Sequence, residues 1–508
     1  MARDKKPSLS KSRFLAGLQC PKRLYLETHE RELATPPDAF QKRVFNAGHA
    51  VGELAREHFA DGVLIEAHFS QVQLALDGTQ KAIQAKAPAI FEAAFLAHST
   101  FIRADILERS GDSWQIIEVK STCSVHEEHI VDLAVQRHVI EESGLLVAKT
   151  SLMHLRRECR FPHLEDLFVQ TDITGHVHDR ISWVSSTIDS FLEVATSDTV
   201  PKTPVGPHCF RPYTCPFKAH CWHGVKEPTI FAIPRLHPSR ARELISKDMR
   251  SLFDIPDDYP LSETQSQYVR SLKSGRPQIL WPAIHDLLSS LDQPLYFLDL
   301  QSCMDVIPRH KGLRPMDQYP FQYNLHMLLE NEPVELAGYL HSDSTDPRPL
   351  MAQSLSNEID PKGTVVVWNG TMERHAIKNL AWDVSSFRGE LLSIFDRIFD
   401  LQQIFQDYYF DPRFNGSTAL HVVFPMLLPD FMPSTSEIQN RAEAQLAWER
   451  LIVADGEEER TRLIQALRAF GSLNATALLR IYEFLKERSL DPTVLLSLSG
   501  NDGNGRRL

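Results

Sequence analysis

At 508 residues, with 43% hydrophobic and 24% charged side chains, the chain has an ordinary globular composition and room for two or three domains. A net charge of −12 argues against a uniformly basic polyanion binder, and no run approaches the roughly 18 consecutive apolar residues of a membrane span. Seven cysteines are too sparse for a disulfide scaffold, and the start Met-Ala-Arg-Asp-Lys-Lys leads into polar residues, so a cytoplasmic protein with free or metal-bound thiols and no membrane partner is expected.

In chain order, residues 1–23 set Arg3, Lys5, Lys6, Lys11, Arg13, Lys22 and Arg23 against the one acid Asp4, which predicts either a phosphate-contacting arm or a solvated tail. Val44 to Phe59 has apolar residues at helical spacing. Residues 101–107 and 114–119 are β-rich runs separated by Ser110-Gly111-Asp112, which predicts a hairpin. A helix from His126 to Ser143 and a strand from Leu146 to Leu155 follow. The prolines between Pro201 and Pro216 predict irregular backbone around Cys209 and Cys215. These elements define a mixed α/β domain over 1–225. Residues 226–290 read as a helical connector, 291–490 as a second α/β domain and 491–508 as a disordered tail.

Asp105, Glu118 and Lys120 carry the chemistry of the first domain. Hard divalent cations are held by clustered carboxylate oxygens, and a cation so held polarises a phosphate and acidifies an attacking water. Side chains alternate along a strand, so Glu118 and Lys120 share a face on which the lysine can orient water, while Val119 points to the core. An amphipathic hairpin with a charged outer face would hold the same residue types. Asp105 on the preceding strand favours the site.

This pattern resembles the PD-(D/E)XK nuclease superfamily, specifically its RecB-like branch. The resemblance implies a restriction-endonuclease-like α/β fold, Mg²⁺ or Mn²⁺ held by Asp105 and Glu118, catalysis assisted by Lys120, and a further catalytic residue, Gln136, on the next helix. Ile140 stands where that family usually has an aromatic. Many members carry a G-x-x-x-H motif on an early helix. Here Gly52 takes the histidine's place in Gly48-His49-Ala50-Val51-Gly52-Glu53, leaving His49 and Glu53, together with Glu92 of Ile90-Phe91-Glu92, as further metal candidates.

Cys209-x5-Cys215-x5-Cys221 departs from the usual C-x2-C zinc spacing, and distant Cys20 completes a set of four. Four thiolates can hold zinc or a [4Fe-4S] cluster, and spacing alone does not separate them. Scattered buried cysteines are the alternative, which Pro207, Pro212 and Pro216 flanking the trio disfavour. Cys123, Cys159 and Cys303 stand alone and read as buried or incidental. The set resembles that of RecB-like nucleases with one cysteine before the core and three after it, such as the AddB nuclease domain and the CRISPR spacer-acquisition exonucleases. That resemblance assigns a structural [4Fe-4S] cluster, with Zn²⁺ as the alternative, to Cys20, Cys209, Cys215 and Cys221, although the family's trio is usually C-x2-C-x5-C.

In the second domain, Tyr296 to Ser302 looks like the first strand of an RNase H-like exonuclease of the DEDD class, and Val365 to Glu373 and Phe399-Asp400-Leu401 like its later segments. The resemblance implies two metals held by four acids, of which Asp299, Glu373 and Asp400 survive as a residual site. Gln301 replaces the first-strand glutamate and Asn474 stands near the late acid. Amides are poor Mg²⁺ ligands, so this domain is expected to be inactive. The architecture resembles a family of bacterial proteins of unknown function over nearly the full chain. The expectation is thus a metal-dependent DNA nuclease of the bacterial cytoplasm, acting in repair, recombination or defence on single-stranded DNA or DNA ends, with the second domain available to a protein partner. The competing expectation is a catalytically weakened nucleic-acid-binding or protein-interaction scaffold stabilised by zinc.

Overall fold

The structure is a computed structural model and describes residues 9–490 apart from 69, 226–227, 330–331 and 432–436. The expected tail at 491–508 and basic residues 3–6 lie outside the described residues. The chain is mixed α/β and divides after Gly224 into two units, with the short segment Val306–Met316 belonging to the first. Among the described residues, no helix is long and apolar enough to cross a membrane.

Seven strands form the sheet of the first unit: β1 (Leu9–Ser10), β2 (Val63–Leu64), β3 (Ala89–Ala97), β4 (Thr100–Ser110), β5 (Ser113–Lys120), β6 (Val147–Leu155) and β7 (Phe168–Asp172). Their order is β2-β3-β4-β5-β6-β7, with β1 pairing parallel to β4. The β4–β5 hairpin turns at Gly111, whose φ of +61° is a conformation that glycine adopts without a Cβ penalty. Along β5 the side chains alternate. Trp114 and Ile116 join the core beneath the helix Glu127–Glu142, whereas Ile117 and Val119 pack on the other face against Ala55, Phe91 and Met153. Glu118 and Lys120 fall in phase with Ile116 and therefore on the side of that helix. The helix is buried almost continuously from His129 to Ile140, which explains why its sequence carries little amphipathic contrast.

The segment Val306–Met316 hydrogen-bonds into this unit. Phe161 donates to Leu313 O at 3.0 Å, Gly312 donates back to Phe161 O at 2.9 Å, and Arg157 Nη1 donates to Pro315 O at 2.5 Å. The domain read as residues 1–225 is therefore discontinuous in sequence.

The second unit contains β8 (Gln278–Ile279), β9 (Leu295–Met304), β10 (Gln318–Leu329), β11 (Glu332–Leu340), β12 (Thr364–Val367), β13 (Ile398–Asp400) and β14 (Tyr409–Phe410). Five of these make a sheet of order β11-β10-β9-β12-β13, antiparallel on the β11 side and parallel from β9 to β13. The central strand β9 is buried on both faces, which requires its near-continuous apolar run. Leu295 and Phe297 pack with Ile481 and Tyr482 of the long helix Glu457–Ser489, while Tyr296, Leu298 and Leu300 pack with Met351, Leu355 and Ile377. Asp299 and Gln301 continue the first of these two series and lie toward the long helix. The expected connector at 226–290 is instead built into this unit. Its helices bury Ile230, Leu244, Tyr268 and Leu272 with Phe410 in one core, and β8 pairs with β14.

Candidate functional site

The strongest convergence of charged side chains in the first unit surrounds Glu118, which is 1% exposed. Lys120 Nζ lies 2.5 Å from Glu118 Oε1 and 3.0 Å from Asp132 Oδ2. Gln136 Nε2 donates to Glu118 Oε2 at 2.7 Å and to Asp132 Oδ1 at 2.9 Å. Asp105 Oδ2 accepts the Val119 N–H at 2.8 Å, next in register to the Ile106–Ile117 pair that aligns β4 with β5. Asp105, Glu118, Lys120 and Gln136 thus meet at one place. Two residues that the sequence reading did not assign to this site complete the group. Asp132 lies one helical turn before Gln136, and Lys11 Nζ reaches Glu118 Oε1 at 3.0 Å and Asp132 Oδ1 at 3.3 Å.

Lys11 is placed by the pairing of β1 with β4 and by the Ser10 side chain, which accepts the Arg13 N–H and caps the helix Lys11–Gln19. Two of the basic residues of 1–23 are engaged within this unit. Lys11 is drawn to buried carboxylates, and Arg23 pairs with Glu27 at 2.8 Å.

The electrostatics of the cluster are unequal. Burial and then the charge of Glu118 push the Asp105 carboxyl up to about 7, against the pull of Lys11 and Lys120. Burial also opposes ionisation of Glu118, but Lys11, Lys120 and the hydrogen bonds from Lys120 and Gln136 outweigh it and hold that carboxyl well below the usual range. Both lysines stay charged. Burial lowers their affinity for the proton, and the surrounding carboxylates more than restore it. Gln136 Oε1 is buried with no hydrogen-bond partner. A protonatable carboxyl and an orphaned carbonyl oxygen beside an ionised glutamate form a set of hard oxygen donors, which suits a divalent cation.

The remaining metal candidates make no hydrogen bond or ion pair with this group among the described residues. Glu92 takes φ +57° where the β3–β4 register skips, and its carboxylate pairs with Arg56 at 3.3 Å and Arg103 at 3.6 Å. His49 and Glu53 are exposed on the helix Ala39–Arg56 and form neither a hydrogen bond nor an ion pair with the cluster. It is Arg56 of that helix that engages an acid.

Cys20, Cys209, Cys215 and Cys221 line one small pocket with Lys22, Arg23, His208 and Lys218, and all four are free thiols. Cys20 sits at the break between the helices Lys11–Gln19 and Pro21–His29. Gln19 ties that break to the cysteine loop, its Nε2 lying 2.7 Å from His208 O and 2.7 Å from Tyr213 O. Hydrogen bonds to Cys20 and Cys209 raise the His208 imidazole to about 10. Burial disfavours the thiolates of Cys20 and Cys209, but that histidine holds both below the ordinary thiol value. Cys215, which lacks such a partner, is pushed up to about 11 by burial. Four convergent sulfurs among cationic side chains suit a thiolate-bound metal or cluster.

In the second unit, Asp299 and Glu373 are buried at 3% and 1% exposure. Between them lies Arg441, from the helix Arg441–Leu451, with Nη2 2.5 Å from Glu373 Oε1 and 3.5 Å from Asp299 Oδ1. Asp299 Oδ2 accepts from Gln301 Nε2 at 2.6 Å and Asn474 Nδ2 at 3.3 Å. Asp400 accepts the backbone N–H groups of Asn369, Gly370 and Gln402 at 3.1, 2.8 and 3.1 Å. Burial raises the Glu373 carboxyl to about 7 despite the guanidinium. Sequence reading missed Arg441, for which the pattern of the chain carries no signal. Cys303 does not stand alone as expected. Its sulfur, Asp305 and Glu449 offer ligand atoms within 4.8 Å of one another, a possible metal-binding triad, and Tyr319 donates to Asp305 Oδ2 at 2.5 Å.

Residues 296–419 match a family described as a domain of unknown function, DUF2779. The match covers part of the second unit and the segment Val306–Met316 of the first, not nearly the full chain as the sequence reading expected. No curated protein matches the chain. Among solved structures, the crystal structure of SSO0001 is similar at 13% identity, covering 44% of this chain and 90% of that chain with a TM-score of 0.25.

Proposed function

We propose that the first unit is a metal-dependent deoxyribonuclease with a restriction-endonuclease-like fold, whose active centre is the Asp105, Glu118, Lys120 and Gln136 cluster. The observation that carries this reading is the meeting of those four side chains from two strands and a helix around a buried, ionised Glu118. Asp105 and Glu118 would hold Mg²⁺ or Mn²⁺, which when bound polarises the scissile phosphate and acidifies water. Lys120 keeps its proton and is positioned to stabilise developing negative charge. Gln136 orients Glu118 through its amide, and Asp132 holds both lysines in place. DNA as the substrate, and a role in repair, recombination or defence, rest on the family resemblance.

Cys20, Cys209, Cys215 and Cys221 are proposed to hold a structural [4Fe-4S] cluster that joins the two ends of this unit. The strand order β11-β10-β9-β12-β13 supports an RNase H-like reading of the second unit. The test is cleavage of single- and double-stranded DNA with Mn²⁺. Lys120→Ala and Glu118→Ala should each lose activity by at least about 100-fold, in the range of acid–base and electrostatic contributions. Equal activity in wild type and both variants would sink the proposal.

A further inference from the structure

We infer that Arg441 is the resident cation of the acidic cluster in the second unit and takes the place a divalent metal would need. The implied two-metal site does not fit the residues present. Five of the six carboxylate oxygens of this cluster already accept from donors, one of them the fixed guanidinium between Asp299 and Glu373, so a metal would have to displace these partners. Asp299 Oδ1 faces Arg441, Asp299 Oδ2 takes two amide N–H groups, Glu373 Oε1 takes the guanidinium, and both oxygens of Asp400 take backbone N–H groups. The two amides, at Gln301 and Asn474, present hydrogens to Asp299 and would repel a cation placed against the same oxygen.

Charge leads to the same conclusion. Two buried carboxylates, with Asp400 close enough to raise Glu373 further, demand a positive partner, and unpaired buried charge is far costlier than a paired one. A guanidinium is planar, permanently protonated and more weakly hydrated than a metal ion, so it can fill this role at any divalent-ion concentration. The side chain comes from a helix outside the sheet and joins β9 to the helix Gly370–Asp383. This acidic cluster is therefore neutralised by an internal ion pair, independently of metal.

The experiment measures Mn²⁺ binding, by the loss of the free-ion paramagnetic signal, in a chain carrying Asp105→Asn and Glu118→Gln to silence the first unit. Because cleavage is not read, failure here is distinguishable from failure of the nuclease proposal. With Arg441 present, Glu373→Gln should leave Mn²⁺ binding unchanged. Arg441→Met should bind Mn²⁺ at least tenfold more tightly than the Arg441 chain, and Arg441→Lys should not. Binding in the Arg441 chain that disappears with Glu373→Gln overturns the inference. So does a folded Arg441→Met chain that gains no affinity. Should that variant not fold, unfolding of the natural protein decides. A melting transition of the second unit that is insensitive to chelator and to Mn²⁺ supports the inference, and a Mn²⁺-dependent rise abolished by Glu373→Gln overturns it.

Discussion

Lys11→Met offers a quantitative probe of the first unit, because it removes one of two ammonium groups facing three carboxylates without touching the strand motif. Lys11 Nζ is 3.0 Å from Glu118 Oε1 and 3.3 Å from Asp132 Oδ1, and its side chain is 24% exposed. At an effective dielectric near 20, a contact of that length has a gross attraction of about 5 kcal/mol. Desolvation of both partners offsets much of that, and Lys120 continues to serve the same Glu118 oxygen, so the net coupling should be about 1 to 3 kcal/mol. The substitution also removes a charge that lowers Asp105, so that carboxyl should be raised further from about 7. Native-state hydrogen exchange over Ser113–Lys120 and Glu127–Glu142 measures the local opening free energy in wild type, Lys11→Met, Glu118→Gln and the double variant. The cycle should return a favourable coupling in that range. A coupling below about 0.5 kcal/mol would refute the view that Lys11 belongs to the buried cluster.

Other expectations are equally direct. Glu373 rises from 4.5 to about 7 on folding, so its contribution to stability is fully present below 4.5 and lost as pH climbs through 7. The second unit should therefore lose up to about 3 kcal/mol across that window, and denaturation of Glu373→Gln at several pH values should show a flatter slope. Serine at Cys20, Cys209, Cys215 or Cys221 should abolish bound iron and sulfide measured on anaerobically purified protein, whereas Cys123→Ser and Cys159→Ser should not. Stoichiometric zinc in the wild type would replace the cluster reading with a zinc centre. Gly471→Ala would drive a Cβ into Asn324 Oδ1 and Gln322 Nε2, so those hydrogen-bonded side chains must be displaced or the long helix shifted off β10, at a cost of about 1 to 3 kcal/mol read as a lowered denaturation midpoint.

The parts of this molecule that could be read from the sequence are those governed by short-range periodicity. Alternation on β5 puts Glu118 and Lys120 on one face, and the turn at Gly111 brings Asp105 beside them. The 3.6-residue repeat places Asp132 with Gln136, a signal present but unused. What could not be read depends on packing between distant elements. Lys11 joins the cluster only because β1 docks on β4, and Arg441 meets Asp299 only because a late helix folds back over the sheet. His49, Glu53 and Glu92 illustrate the converse, since motif proximity suggested ligands where Glu92 is instead neutralised by Arg56 and Arg103.

The return of Val306–Met316 to the first unit has a consequence for biosynthesis. A ribosome delivers the chain from its amino end, and domains generally fold as units as they emerge. Here the hydrogen bonds of Phe161 and Arg157 await partners at Gly312, Leu313 and Pro315, which arrive after the first strand of the other sheet has been made. The first unit can begin to collapse early but can be completed only when translation is well into the second. A chain cut at the apparent boundary near Gly224 would carry every proposed catalytic residue and every cluster cysteine, yet would lack the peptide that closes its own fold.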